Sequence, residues 1–178
     1  MTGKPSAERF REVVLPHLAD ALALARWLTG NTHDAEDVVQ DACVKALAGI
    51  GTYAGGNARA WLLTIVRNAA FTWLARNRPR DLVLVADPAE VAPSDSANLD
   101  GSGVESPEAA LIAKADALAV EAGIAALPHP FREVLVLRDI NGLSYRDIAA
   151  MLSVPLGTVM SRLSRARDLL IAKLGSER

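Results

Sequence analysis

The sequence predicts an all-α protein of two small helical domains, and three observations carry that prediction. Hydrophobic residues make up 51% of the 178-residue chain but aromatics only 4%. The apolar excess is alanine and leucine, which suit helices better than strands. On both sides of a central stretch, apolar residues recur at spacings of three and four, the period of an amphipathic helix. The central stretch, 81–106, holds six acidic residues (Asp81, Asp87, Glu90, Asp95, Asp100 and Glu105), no Lys, Arg or His, and Pro88, Pro93, Gly101 and Gly103. A structureless loop of 26 residues is unusual inside one compact domain. The stretch therefore reads as a flexible, self-repelling acidic linker between a first domain over 1–80 and a second over 107–178.

Four helices are expected before the linker. Phe10, Val13 and Val14 mark the first, which ends near Pro16. Leu18, Leu22, Ala25 and Leu28 form the stripe of a second, stopped by Gly30. A third is capped by Thr32 or Asp34, and its first turn carries Asp34, Glu36 and Asp37, the charge that a helix dipole favours there. Val38, Val39, Ala42 and Leu47 are its expected apolar face. Gly49, Gly51, Gly55 and Gly56 then interrupt the chain, and a fourth helix opens near Asn57 with Leu62, Ile65, Val66, Ala69 and Trp73 on one stripe.

Beyond the linker, Ser106, Pro107 and Glu108 form a helix start, and Leu111, Ala115 and Leu118 form the stripe that follows. Another helix after Pro130 turns Phe131, Val134 and Leu135 inward and stops at Asn141 and Gly142. Ser144 to Asp147 has the spacing of a capping box and opens a short helix through Ile148 and Leu152. Ser153, Val154 and Pro155 leave room for a tight turn only, and a long basic helix runs from about Leu156 to Leu174. A short helix, a tight turn and a longer basic helix make a helix-turn-helix, with Val159 and Leu163 placed to pack on Ile148 and Leu152.

Charge and composition narrow the function. The net charge is −2, but the acidic stretch outweighs a remainder that is net positive. Arg76, Arg78 and Arg80 gather at the end of the first half, and Arg162, Arg165, Arg167 and Lys173 near the end of the second. A local basic stripe counts for more in DNA binding than the overall isoelectric point. Cys43 is the single cysteine, which points to a reducing cytoplasm, and no apolar run suggests a secretory leader or membrane insertion. His17, His33 and His129 read as surface or boundary residues, without metal-ligand spacing. With no phosphate loop and no paired nucleophile and base, neither an enzyme nor a cofactor is expected. A self-sufficient dimeric helix-turn-helix regulator is a weaker reading, because the chain is acidic overall and has no heptad seam.

The segment GLSYRDIAAMLSVPLGTVMSRLSRARDLL, 142–170, resembles region 4 of bacterial sigma factors of the extracytoplasmic-function group. LTGNTHDAEDVVQDACVKAL, 28–47, resembles region 2 of the same group, and AWLLTIVRN, 60–68, resembles its next motif. Both domains match in order, with no region 3 between them. The resemblance implies a promoter-recognition factor that binds core RNA polymerase, reads −10 and −35 elements, and is held by an anti-sigma partner. It carries polymerase binding to Asp37, Gln40 and Asp41, of which Asp37 and Asp41 stand one turn apart. It carries capture of the melted −10 strand to Asn68 and the loop 53–59, with Arg59, Trp61 and Arg67 as neighbouring cations and stacking surface. Trp61 and Trp73 also suit an ordinary helical core. Duplex −35 contacts fall on Ser161, Arg162, Ser164 and Arg165, while Met160 stands where the family commonly has a basic residue. The linker takes the place of the family's connector toward the polymerase channel, where its charge suits either nucleic-acid mimicry or a plain tether.

Overall fold

The computed structural model describes residues 6–78 and 107–176, and every regular element among them is a helix. The first unit comprises α1 (Ser6–Val13), α2 (Leu18–Thr29), α3 (Thr32–Gly49) and α4 (Ala58–Asn77). Ala21, Leu24, Ala25 and Leu28 of α2 meet Ala35, Val38, Ala42 and Ala46 of α3 and Leu62, Leu63, Val66 and Ala69 of α4 in one core. The alanines of α3 keep its buried side narrow, so neighbouring backbones come close. Leu47 falls just off that side and is 46% exposed, so it is not a core residue as its apolar character suggested.

Local chemistry sets the helix ends. Gly30 terminates α2 at φ 85°, a left-handed conformation that glycine adopts without strain, and donates its N–H to the Arg26 carbonyl at 2.8 Å. Neither Thr32 nor Asp34 caps α3. Asn31 does, accepting the Asp34 N–H at 2.8 Å, and its amide donates to the Asp34 carboxylate in return. The fourth helix opens at Asn57 as expected, and Asn57 caps it by accepting the Ala60 N–H at 3.0 Å.

The second unit comprises α5 (Pro107–Ala125), α6 (His129–Leu135), α7 (Tyr145–Leu152) and α8 (Leu156–Ser176). A wide turn of π type, Val136–Ile140, continues α6, and the Asn141 N–H reaches back to the Val136 carbonyl at 2.9 Å. Ser144 caps α7 by accepting the Asp147 N–H at 3.1 Å. Ser153 makes the turn into α8 at φ 55°. Val159, Leu163 and Ala166 of α8 are buried in one cluster with Ile148, Met151, Phe131 and Val134, with Leu152 half-buried beside them. Of the expected α5 stripe, Ala115 and Leu118 are exposed and do not face this core, while the Leu111 side chain lies outside the described residues. The helix is apolar on most sides, so its period does not select a face. Gly123 selects it instead: a Cβ there would come within 2.7 Å of Leu170 Cδ1, and that close approach brings Ile124 into the core.

The two units pack directly on each other, which the reading of two tethered domains did not anticipate. Arg67 of α4 pairs with Glu133 of α6, and Phe71 meets the His129 ring edge-on at 4.8 Å. Asn141 donates to the Asp20 carbonyl at 3.3 Å, and Asn57 to the Asp147 carboxylate at 3.2 Å. The expected linker 81–106 lies outside the described residues, as does Arg80.

Candidate nucleic-acid and partner interfaces

Helix α3 offers an open polar face on the first unit. Asp37, Gln40 and Asp41 are all exposed, and Val44 and Leu47 extend the same side by about a further turn. Asp41 holds Lys45 at 2.6 Å along the helix. The start of α3 is anchored from α4: Arg78 reaches Asp34 at 2.9 Å and the Thr29 carbonyl at 2.9 Å, with its guanidinium over the Trp73 ring. The sequence therefore brings the three residues expected to bind polymerase onto one exposed surface with a fixed base.

The residues expected at the −10 strand are less available. Arg59 donates to Asp20 at 2.6 Å. Trp61 is half-buried against Tyr53, with ring centroids 5.1 Å apart, and packs on the core. Tyr53 is itself held, its hydroxyl donating to the Gly56 carbonyl at 2.8 Å and its own carbonyl accepting from Arg9. That gives the loop before α4 a defined shape. Arg67 lies over the Phe71 ring at 4.3 Å and donates to Glu133, while Asn68 is exposed and accepts from Arg67 at 3.4 Å.

On α8, Arg165 is exposed, whereas Ser161, Arg162 and Ser164 are half-buried. Ser161 donates to the Thr158 carbonyl of its own helix at 3.1 Å. Arg167 is fixed by two hydrogen bonds to Asp139, at 3.2 and 2.7 Å, and this partner raises its pKa further. Leu156 and Met160 are exposed on the first turns of the same helix.

Sequence reasoning missed Glu133, the residue that joins these surfaces. It is 3% exposed, yet it follows Phe131 in a run whose apolar period assigns it to solvent. Burial pushes its carboxyl above the usual range, while the Arg67 hydrogen bond and charge, and then the charge of Arg162, pull it back. One turn earlier, burial, then Arg132 and Arg67, push the His129 imidazole down to about 4. His129 Nε2 and Asn141 Oδ1 are buried without a hydrogen-bond partner among the described residues. Among those residues no group of three or more His, Cys, Asp or Glu side chains is placed to hold a metal ion. No helix among them is long and apolar enough to cross a membrane.

Two family models match the chain in the order of its units: sigma-70 region 2 over residues 13–80 and sigma-70 region 4 over residues 117–170. Relatives extend the likeness over most of the chain. It is 36% identical to the RNA polymerase sigma-H factor of Pseudomonas aeruginosa, over 89% of this chain and 82% of that protein. It is 32% identical to the ECF RNA polymerase sigma factor EcfG of Rhodopseudomonas palustris, over 96% and 87%. With the ECF sigma factor SigE of Mycolicibacterium smegmatis it shares 36% identity over 93% of this chain and 63% of the longer relative. Among solved structures it resembles the sigma factor RpoE, determined with the anti-sigma factor NepR from Bartonella quintana. The TM-score is 0.69 and the identity 28%, covering 95% of this chain and 98% of that one. CnrH, determined with the cytosolic domain of CnrY, gives a TM-score of 0.63 at 25% identity, covering 97% and 96%. The chain belongs to the RNA polymerase sigma factors of the extracytoplasmic-function group.

Proposed function

We propose that this sigma factor docks on core RNA polymerase through Asp37, Gln40 and Asp41 and reads promoters at two separate places. The observation that carries the docking assignment is the exposure of all three side chains on one face of a helix whose other side is locked into the core. A concentrated acidic face steers a basic partner and sets its orientation more than it adds raw affinity. On α4, Asn68 and its neighbours Arg59, Trp61 and Arg67 engage the unpaired −10 strand, where stacking and backbone charge are the available chemistry. On α8, Arg162 and Arg165 act on the −35 duplex, with Ser161 and Ser164 beside them. Arginine's fork suits a guanine edge, and its charge equally serves a phosphate. The chain performs no catalysis of its own, works in the cytoplasm, and is restrained by an anti-sigma factor, the kind of partner with which the similar RpoE structure was determined.

Transcription of fragmented genomic DNA by core polymerase, with start sites mapped by sequencing, tests this reading. Adding the protein should create new starts that share two short elements at −10 and −35. A start profile identical to that of core polymerase alone would contradict it.

A further inference from the structure

The opening turns of α8 expose two large apolar side chains, Leu156 at 43% and Met160 at 47%. Helix α8 is the second helix of the helix-turn-helix, and the first residues of such a helix are those that reach base edges in a major groove. We propose that Leu156 and Met160 are specificity residues that read thymine methyl groups in the −35 duplex. This rests on the assignment of α8 to that duplex.

The chemistry selects the base. Neither side chain has a hydrogen-bond donor, and the methionine sulfur is only a weak acceptor. The one apolar feature that base edges present in the major groove is the C5 methyl of thymine. Met160 follows Leu156 by four residues, so the two share one side of the helix. They stand about 6 Å apart along its axis, near enough for thymines of neighbouring steps. Thr158 and Ser161 beside them are half-buried, and Ser161 donates to the Thr158 carbonyl at 3.1 Å. Gly157 is an independent sign of close approach from outside. Neither packing nor a left-handed φ demands glycine there, since a Cβ would touch nothing beyond its own turn of helix within 4 Å. Glycine in a helix is less stable than alanine, but its bare backbone lets a duplex come close to the two flanking side chains. Farther along the exposed side, Asp168 repels phosphate and confines the duplex to the earlier turns. Arg165 lies about 140° around the helix from Met160, on the other edge of the exposed side, so its charge and the apolar pair serve different parts of the groove.

Deoxyuridine scanning tests the proposal, because replacing thymine with uracil removes the methyl group alone. Wild-type, Leu156→Ala and Met160→Ala holoenzymes are titrated on a promoter recovered by start-site mapping, with each −35 thymine changed in turn. For wild type, uracil at one or two positions should weaken closed-complex binding about fourfold, the effect of exposing one buried methyl carbon. Each alanine variant should lose at least that factor on the thymine promoter and become indifferent to uracil at its own position. Alanine suits an exposed helical site, and circular dichroism of the full chain checks that both variants stay folded. Wild-type binding that ignores uracil at every position, or sensitivity that survives both substitutions, would overturn the proposal. So would variants that assemble less tightly with core polymerase in the absence of DNA, which would give the apolar pair to a protein partner. Arg165→Ala separates the two failures. Weakened duplex binding by that holoenzyme, beside silent uracil, defeats the methyl contact alone. Unchanged binding by all three alanine variants defeats the assignment of α8 to the duplex and the methyl contact with it.

Discussion

The exposed side of α3 and the arginine-bearing sides of α4 and α8 are both proposed as surfaces for partners, and the protein holds several of their charges in opposite states. On α3, Asp37 and Gln40 are exposed and Asp41 shares only a Lys45 of its own helix. On α4, Arg59 is engaged by Asp20 and Arg67 by Glu133, and Arg162 of α8 lies within the field of the same acid. The difference follows from what each surface must avoid. An acidic face in a cell full of nucleic acid attracts little unwanted company, whereas exposed arginines bind any duplex through phosphate. Pairing Arg59 and Arg67 internally limits that non-specific binding on α4, although Arg165 of α8 stays exposed, and leaving the acids open keeps a specific partner reachable.

Reversing the charge of the open surface should have the largest effect. Asp37→Lys with Asp41→Lys should weaken core-polymerase binding by roughly 2–4 kcal/mol, the range of hot-spot side chains in protein interfaces. The helical circular-dichroism signal should be retained, because a new like-charge contact with Lys45 costs only about 0.5 kcal/mol. Undiminished binding in a titration with labelled polymerase would remove the docking role from α3.

Arg165→Ala probes the exposed cation of α8 and should cost about 1–3 kcal/mol in −35 binding by the holoenzyme if it reads a base edge, with preference relaxed at one position. If Arg165 serves a phosphate, binding should weaken evenly across sequences and the salt slope should fall by about one. Duplex binding indistinguishable from wild type in both affinity and salt slope would take Arg165 off the interface.

A smaller effect concerns pH. The His129 pKa is lowered from 6.5 to about 4, so its contribution to stability is complete above 6.5 and is lost as the pH falls toward 4. Glu133 acts in the other direction, since its raised pKa makes protonation favourable in the packed state. Comparing His129→Gln with wild type isolates the histidine. Between neutral pH and about pH 5 the wild-type melting temperature should drop further than that of the variant. Parallel curves would mean that His129 is not held neutral between Arg132, Arg67 and Phe71.

What the sequence made legible follows from how local each signal is. Helix positions, the opening of α4 near Asn57, the Ser144 cap and the packing of Val159 and Leu163 depend on residues three or four apart, and the structure has them as read. Asn31 was passed over as the α3 cap because Thr32 and Asp34 carry capping side chains beside it. Leu47 and Leu118 were misplaced for a common reason: a leucine declares its polarity but not whether its surface meets core, solvent or a partner. The exposed polar face of Asp37, Gln40 and Asp41 was legible because those residues share one helix. The contact between units was not, since Glu133, His129 and Asn141 meet residues more than fifty positions away and carry no short-range pattern.

We propose that the two units divide the DNA work, α4 capturing the opened strand and α8 gripping the duplex. Permanganate footprinting of wild-type, Asn68→Ala and Arg165→Ala holoenzymes on one mapped promoter, alongside closed-complex binding to the same duplex, addresses it directly. Asn68→Ala should bind closed duplex like wild type yet lose reactivity of unpaired thymines, because those bases become available only after opening. Arg165→Ala should lose closed-complex binding first, and its remaining complexes should open normally. Identical defects of both variants in the closed complex would contradict the division.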